Sequence, residues 1–214
     1  MKVIAINGSP RKKWNTATLL EEALKGAESA GAETELIHLY DLDFKGCVSC
    51  LACKFKDGKS YGQCAQKDGL QPVLRKIEQA DALLIGSPIY LGNVTGEIRS
   101  FLERFIYQYL EYSADISSLN KKKIPVGTVY TFGAPEDRVR EQGYDKAAAS
   151  VDGLLQAYVG PVESLLVTDT LLSDEFSKFE HSHFDPEAKQ KRRKEVFPAD
   201  CEKAYALGAK LARG

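Results

Sequence analysis

The residues best suited to chemistry fall into two clusters. The first is Gly8-Ser9-Pro10-Arg11, with Asn15-Thr16 and Thr18 just beyond it. Turn amides and helix-start amides are natural anion donors. The hydroxyls of Ser9, Thr16 and Thr18, the Asn15 amide and the Arg11 fork add to them. The loop is hydroxyl-rich and Gly-poor, and the chain contains neither G-x-x-x-x-G-K-[ST] nor G-x-G-x-x-G. A terminal monophosphate therefore fits better than a pyrophosphate laid on bare backbone. The competing reading is a plain strand-to-helix turn with nothing bound. The second cluster is Cys47, Cys50 and Cys53, with Cys64 following after the ten residues Lys54 to Gln63. Thiolates at this spacing suit an iron–sulfur cluster or zinc, and spacing alone does not choose between them. Free thiols or occasional disulfide partners are the third reading.

Other candidates are weaker. Cys201 stands alone and is expected to be a buried helical residue. His181-Ser182-His183 could be a metal pair, but a His-x-His in a polar stretch is usually solvated. The basic run Lys189–Lys194 reads as an exposed helix face that could meet an acidic patch or a cofactor phosphate. Asp41–Gly46 begins like a calcium loop, but Lys45 takes a ligand position and no Glu closes it.

These clusters sit between regular elements. Val3–Ile6 reads as a strand, residues 16–30 as a helix, Thr34–Leu39 as a strand, and residues 70–80 as a helix after a long cysteine-bearing connection. Ala82–Ile85 is a short apolar strand that ends in a second polar loop, Gly86 to Asn93. Residues 96–110 form a strongly patterned helix. Pro125–Tyr130 is a strand ending at a third loop, Thr131-Phe132-Gly133. Residues 136–158 are helical with a break near Gly143 or Gly153, Glu163–Val167 is a fifth strand, and two helices follow at about 185–196 and 198–212. Such alternation predicts an α/β three-layer sandwich, a five-stranded parallel sheet with helices on both faces; the flavodoxin-like order 2-1-3-4-5 would set the first and third strands side by side, so that their loops share one site. Ligands of such sheets bind beyond the carboxyl ends of the strands, where the three polar loops fall.

Composition narrows the function. The 214 residues suffice for one domain, with a cysteine-bearing insertion at about 40–69 and a helical extension at about 171–214. A net charge of -1 argues against nucleic-acid or membrane attraction. No apolar run is long enough to span a bilayer, and the N-terminus leads straight into a strand, so no signal peptide is expected. Clustered cysteines of this kind point to a cytoplasmic chain that binds metal or does redox chemistry.

Together, Gly8-Ser9-Pro10-Arg11 with Asn15-Thr16, Cys47-x-x-Cys50-x-x-Cys53…Cys64, and Gly86-Ser87-Pro88-Ile89-Tyr90…Phe101-Leu102-Glu103-Arg104 resemble the NAD(P)H-dependent FMN reductases of the flavodoxin-like superfamily, and within them the branch that includes the iron–sulfur flavoproteins. The resemblance covers about residues 1–130. It implies FMN, with its phosphate at Ser9, Arg11, Asn15, Thr16 and Thr18. The isoalloxazine would lie along Pro88, Ile89, Tyr90, Leu91, Gly92 and Asn93, and Thr131 and Gly133 would close the other side. Tyr90 and Trp14 offer flat surfaces for it. The resemblance also implies NAD(P)H as hydride donor, a small-molecule or protein electron acceptor, a homodimer or homotetramer, and a [4Fe–4S] cluster on the four cysteines. The chain departs from the family pattern at Trp14, where a small residue is usual, and in the wide gap before Cys64. Two other classes stay open: a flavodoxin-like electron carrier without a nicotinamide site, and a zinc-stabilised anion-binding domain.

Overall fold

The structure is a computed structural model that describes residues 1–114 and 117–214. Its strands are β1 (Lys2–Asn7), β2 (Glu33–His38), β3 (Ala82–Tyr90), β4 (Asn93–Val94), β5 (Val126–Thr131) and β6 (Val162–Val167). Its helices are α1 (Asn15–Ser29), α2 (Leu70–Gln79), α3 (Gly96–Tyr107), α4 (Glu136–Glu141), α5 (Tyr144–Tyr158), α6 (Pro186–Glu195) and α7 (Phe197–Leu211). The sheet runs β2-β1-β3-β5-β6, all parallel. This is the expected order, because β4 is a two-residue strand paired antiparallel to the tip of β3.

Strand alternation divides the core in two. Val3, Ala5, Leu84 and Val129 point to one face, where α1 and α7 cover them. Ile4, Ile6, Leu83, Ile85 and Tyr130 point to the other, under α2, α3 and α5. The α1–α7 contact is very close. A Cβ on Gly26 would lie 1.9 Å from the Tyr205 carbonyl oxygen, and one on Gly208 would lie 1.7 Å from that of Ala23.

Several boundaries differ from the sequence reading. β3 does not stop at Ile85: its Leu83–Pro88 stretch pairs with β5, and Ile89 and Tyr90 then pair back with β4. The second polar loop is therefore largely a hairpin tip. Thr131 closes β5 rather than opening a loop. The expected break in the 136–158 helix falls at Gly143, whose φ of 67° is left-handed, and not at Gly153. Cys201 is half-buried on α7 rather than fully buried. Among the described residues, no helix is long and apolar enough to cross a membrane.

Candidate functional site

The first loop is built from local turn chemistry. Gly8 N–H donates to the Gly86 carbonyl at 2.8 Å, joining the ends of β1 and β3. The Asn7 side chain is fully buried beside His38, and its Oδ1 accepts from Ser9 N–H at 3.0 Å. Ser9 Oγ accepts from Arg11 N–H at 3.2 Å. Trp14 is the N-cap of α1, yet no side chain caps the helix, although Asn15 and Thr16 in its first turn are buried. A buried helix start without a cap leaves amide donors and a partial positive charge for an anion. Thr16 Oγ1 meets Thr131 Oγ1 at 2.8 Å, bringing the loop against the end of β5, and Thr18 is half-buried one turn on.

A segment absent from the sequence reading of this site lies across the loop. Leu171 and Leu172 present their carbonyls to it: Asn15 Nδ2 donates to Leu171 O at 2.9 Å, Trp14 Nε1 to the same oxygen at 3.0 Å, and Arg11 Nη1 to Leu172 O at 2.5 Å. Just upstream, Asp169 and Thr170 N–H bond to the Ala134 and Phe132 carbonyls. Residues 169–172 therefore strap the third loop to the first.

α6 holds the strap from above. Its basic run is not uniformly exposed. Lys189 is buried, bonding the Gly133 carbonyl and pairing with Asp169, while Arg193 donates to Asn15 Oδ1 at 2.8 Å. Lys191 and Lys194 do face solvent. The 189/193 spacing of four was the available signal, hidden inside a run of like charges. Trp14, offered as a flavin-stacking surface, carries the Arg11 and Arg193 guanidinium groups at 5.5 and 5.9 Å from its ring centroid.

The second and third loops face a cavity of about 470 Å³. Ile89, Leu91 and Gly92 line one side, Gly133 and Lys189 another, and His183 reaches in from the C-terminal segment. Ser87 Oγ accepts from Thr95 N–H at 3.1 Å, and Thr95 Oγ1 donates to the Gly8 carbonyl at 2.7 Å, so the N-cap of α3 locks this loop to the first. At the hairpin tip, Leu91 and Gly92 both have positive φ, 51° and 78°, as a two-residue primed turn requires. Leu91 is fully exposed there, Tyr90 is half-exposed beside it, and Asn93 Oδ1 accepts from Val94 N–H at 2.8 Å. Pro88 sits where β3 leaves β5.

The cysteines lie beside the C-terminal end of α3, next to Arg104, Tyr107 and Gln108. All four line one cavity, but its volume is about 20 Å³, room for about one water molecule. Cys50 is exposed, flanked by Ser49 and Leu51 at positive φ, and Cys53 is buried. Burial pushes the Cys53 thiol up, with Lys54 pulling it back. Cys64 Sγ accepts from Arg104 Nε at 3.3 Å. Arg104 is itself fully buried and paired with Asp68. Among the described residues, no three His, Cys, Asp or Glu side chains form a group that could hold a metal ion. The expected ligand set for a [4Fe–4S] cluster is therefore not assembled, because the thiols surround a space too small for it and Cys64 is engaged by a cation. His181 packs on Phe176 instead of joining His183 at a metal.

A parallel sheet in this strand order, with three loops interlocked at its carboxyl edge, defines the flavodoxin-like class. Within that class, the sequence profile of the NADPH-dependent FMN reductase family matches residues 1–142, and the chain belongs to that family. An iron-sulfur flavoprotein of Archaeoglobus fulgidus is 45% identical over 104 residues, 49% of this chain and 48% of that protein. Another, from Methanocaldococcus jannaschii, is 38% identical over 104 residues, 49% of this chain and 51% of that protein. The chain thus spans about half the length of the curated relatives it matches. A solved NAD(P)H:quinone oxidoreductase from Methanothermobacter marburgensis shares the fold, with a TM-score of 0.73 at 17% identity over 99% of this chain and 98% of that one.

Proposed function

We propose that this chain is an FMN-dependent oxidoreductase that takes hydride from NAD(P)H and passes electrons to a quinone, flavin, nitro or azo compound, or protein acceptor. The observation that carries the reading is the uncapped, buried N-terminus of α1, set where the first and third loops meet. Its donors fit a phosphomonoester: helix amides, the Ser9 and Thr18 hydroxyls, and a nearby guanidinium. In this reading Ser9, Arg11, Asn15, Thr16 and Thr18 hold the FMN phosphate. Pro88, Ile89, Tyr90, Leu91, Gly92, Asn93, Thr131 and Gly133 position the ring. Bound FMN supplies the hydride-accepting and electron-passing chemistry.

The residues of the chain orient and shield that chemistry. The Thr95–Gly8 and Thr16–Thr131 bonds fix the three loops relative to one another. The strap and α6 hold the third loop in place through the Asp169, Thr170 and Lys189 bonds. The same reading makes residues 1–214 one flavin-binding unit, acting in the cytoplasm as a homodimer or homotetramer.

The test is to load the purified protein with FMN under anaerobic conditions and add NADPH or NADH, then a soluble quinone. The expected result is bleaching of the bound flavin by a nicotinamide and recovery of its colour with the quinone. Failure to take up FMN would overturn the reading. FMN that is retained but untouched by either nicotinamide would make the chain an electron carrier.

A further inference from the structure

α6 delivers two cations to the carboxyl edge of the sheet, and they are treated differently. Lys189 is neutralised by Asp169. Its neighbour one turn on, Arg193, is in no ion pair among the described residues, although Arg192 beside it is paired with Asp200. The Arg193 guanidinium lies 3.8 Å from the Phe197 ring centroid and places Nη1 on Asn15, the first residue of α1. That is where the helix already presents positive charge. Arg11, also outside any ion pair among the described residues, stands over the Trp14 indole, 5.5 Å from its centroid, and Arg193 lies 5.9 Å from the same centroid.

Arg193 and the N-terminus of α1 thus meet at Asn15. Burial also pushes Arg193 below its ordinary value, with Cys201 and then Asp174 acting the other way. A partly buried guanidinium beside a helix N-terminus lacks counter-charge, and a dianion there supplies it. The Asn15 contact uses one Arg193 donor, and the fork has five.

We propose that Arg193 is a phosphate-side residue of the flavin site. The C-terminal segment supplies this guanidinium as counter-charge for the phosphomonoester at the start of α1, and the chain thereby discriminates FMN from riboflavin. The proposal rests on the FMN reading above. It assigns a binding role to a residue that lies beyond the family match at residue 142.

The experiment titrates flavin-free, full-length protein with FMN and, separately, with riboflavin, reading flavin fluorescence. Wild type is compared with Arg193→Met, Arg193→Lys and the exposed control Lys194→Met. Wild type is expected to prefer FMN. Arg193→Met should weaken FMN by about 10- to 100-fold, the loss of a charge-assisted contact, and leave riboflavin unchanged. Arg193→Lys should recover part of the affinity, since it keeps the charge without the fork. Added salt should weaken FMN less in Arg193→Met than in wild type, and Lys194→Met should bind both flavins like wild type. Equal losses for both flavins in Arg193→Met would make Arg193 a packing residue and overturn the proposal, as would no loss at all or an equal loss in Lys194→Met. The underlying reading fails separately: wild type that binds riboflavin as tightly as FMN has no phosphate site at α1, and wild type that binds neither has no flavin site.

Discussion

Trp14 is the only tryptophan in the chain, and its indole touches both the first loop and the strap. It is therefore a built-in reporter. FMN binding is expected to quench Trp14 emission with the same saturation curve as the flavin signal, and emission that stays constant at saturating FMN would place the cofactor elsewhere. Asp68 carries a different kind of constraint. Burial alone would raise its carboxyl, but hydrogen bonding and charge from Arg104 outweigh this and hold it below the usual carboxylate range. A carboxyl depressed in the folded state contributes stability that is present above its unfolded value, about 3.9, and is lost as pH falls through the lower folded value. Asp68→Asn leaves Arg104 buried without its partner, at a cost of about 3 kcal/mol, the lower end for a broken buried pair because Asp68 is partly exposed. The variant should also lose part of the stability change below about pH 4. Urea unfolding across pH checks both, and an unchanged acid limb would refute the second.

Elements show where sequence pattern works and where it stops. The strands are legible because Val3/Ala5 and Ile4/Ile6 alternate between two apolar layers, and α3 is legible because Ile98, Phe101, Leu102 and Phe105 repeat at helical spacing. The hairpin tip is not legible, because Leu91 in a left-handed conformation is an unusual choice for a primed turn. Leu91→Gly removes that strain without losing packing, since the side chain is exposed. It should stabilise the protein by about 1 kcal/mol, read as a higher melting temperature. A lower one would mean that Leu91 has contacts in solution. The inward pair Lys189 and Arg193 is equally illegible, because a run of six mostly basic residues looks the same whether one side is buried or none is. Gly208 shows the reverse case. The sequence marks it only as part of a helix, while in the structure a Cβ there would lie 1.7 Å from the Ala23 carbonyl oxygen of α1. Gly208→Ala should cost about 3 kcal/mol, the upper end for overpacking, because neither helix backbone can yield. Denaturant titration measures it, and a loss near zero would show that the two helices can slide apart.

Across the whole molecule, the sequence reads as one domain with a helical extension at about 171–214, and the family match ends at 142. Yet α7 supplies Phe197, Ala204, Leu207 and Leu211 to the layer beneath α1. The reason is physical: a helix that covers one whole face of a sheet shows only ordinary amphipathic spacing, which says nothing about what it covers. A chain ended after Val167 is therefore expected to be insoluble or unfolded by circular dichroism, and a folded, flavin-binding truncation would contradict this. The α1–α7 contact also has a consequence for how the protein is made. The loop that Arg11, Trp14 and Asn15 build is synthesised well before its carbonyl partners at 171–172 and before the residues near 204–211 that pack on its helix. Closing contacts across more than 150 residues is slow. The proposed phosphate site is thus made early and shaped late, and it is complete only once the segment through residue 211 has been made and packed onto it.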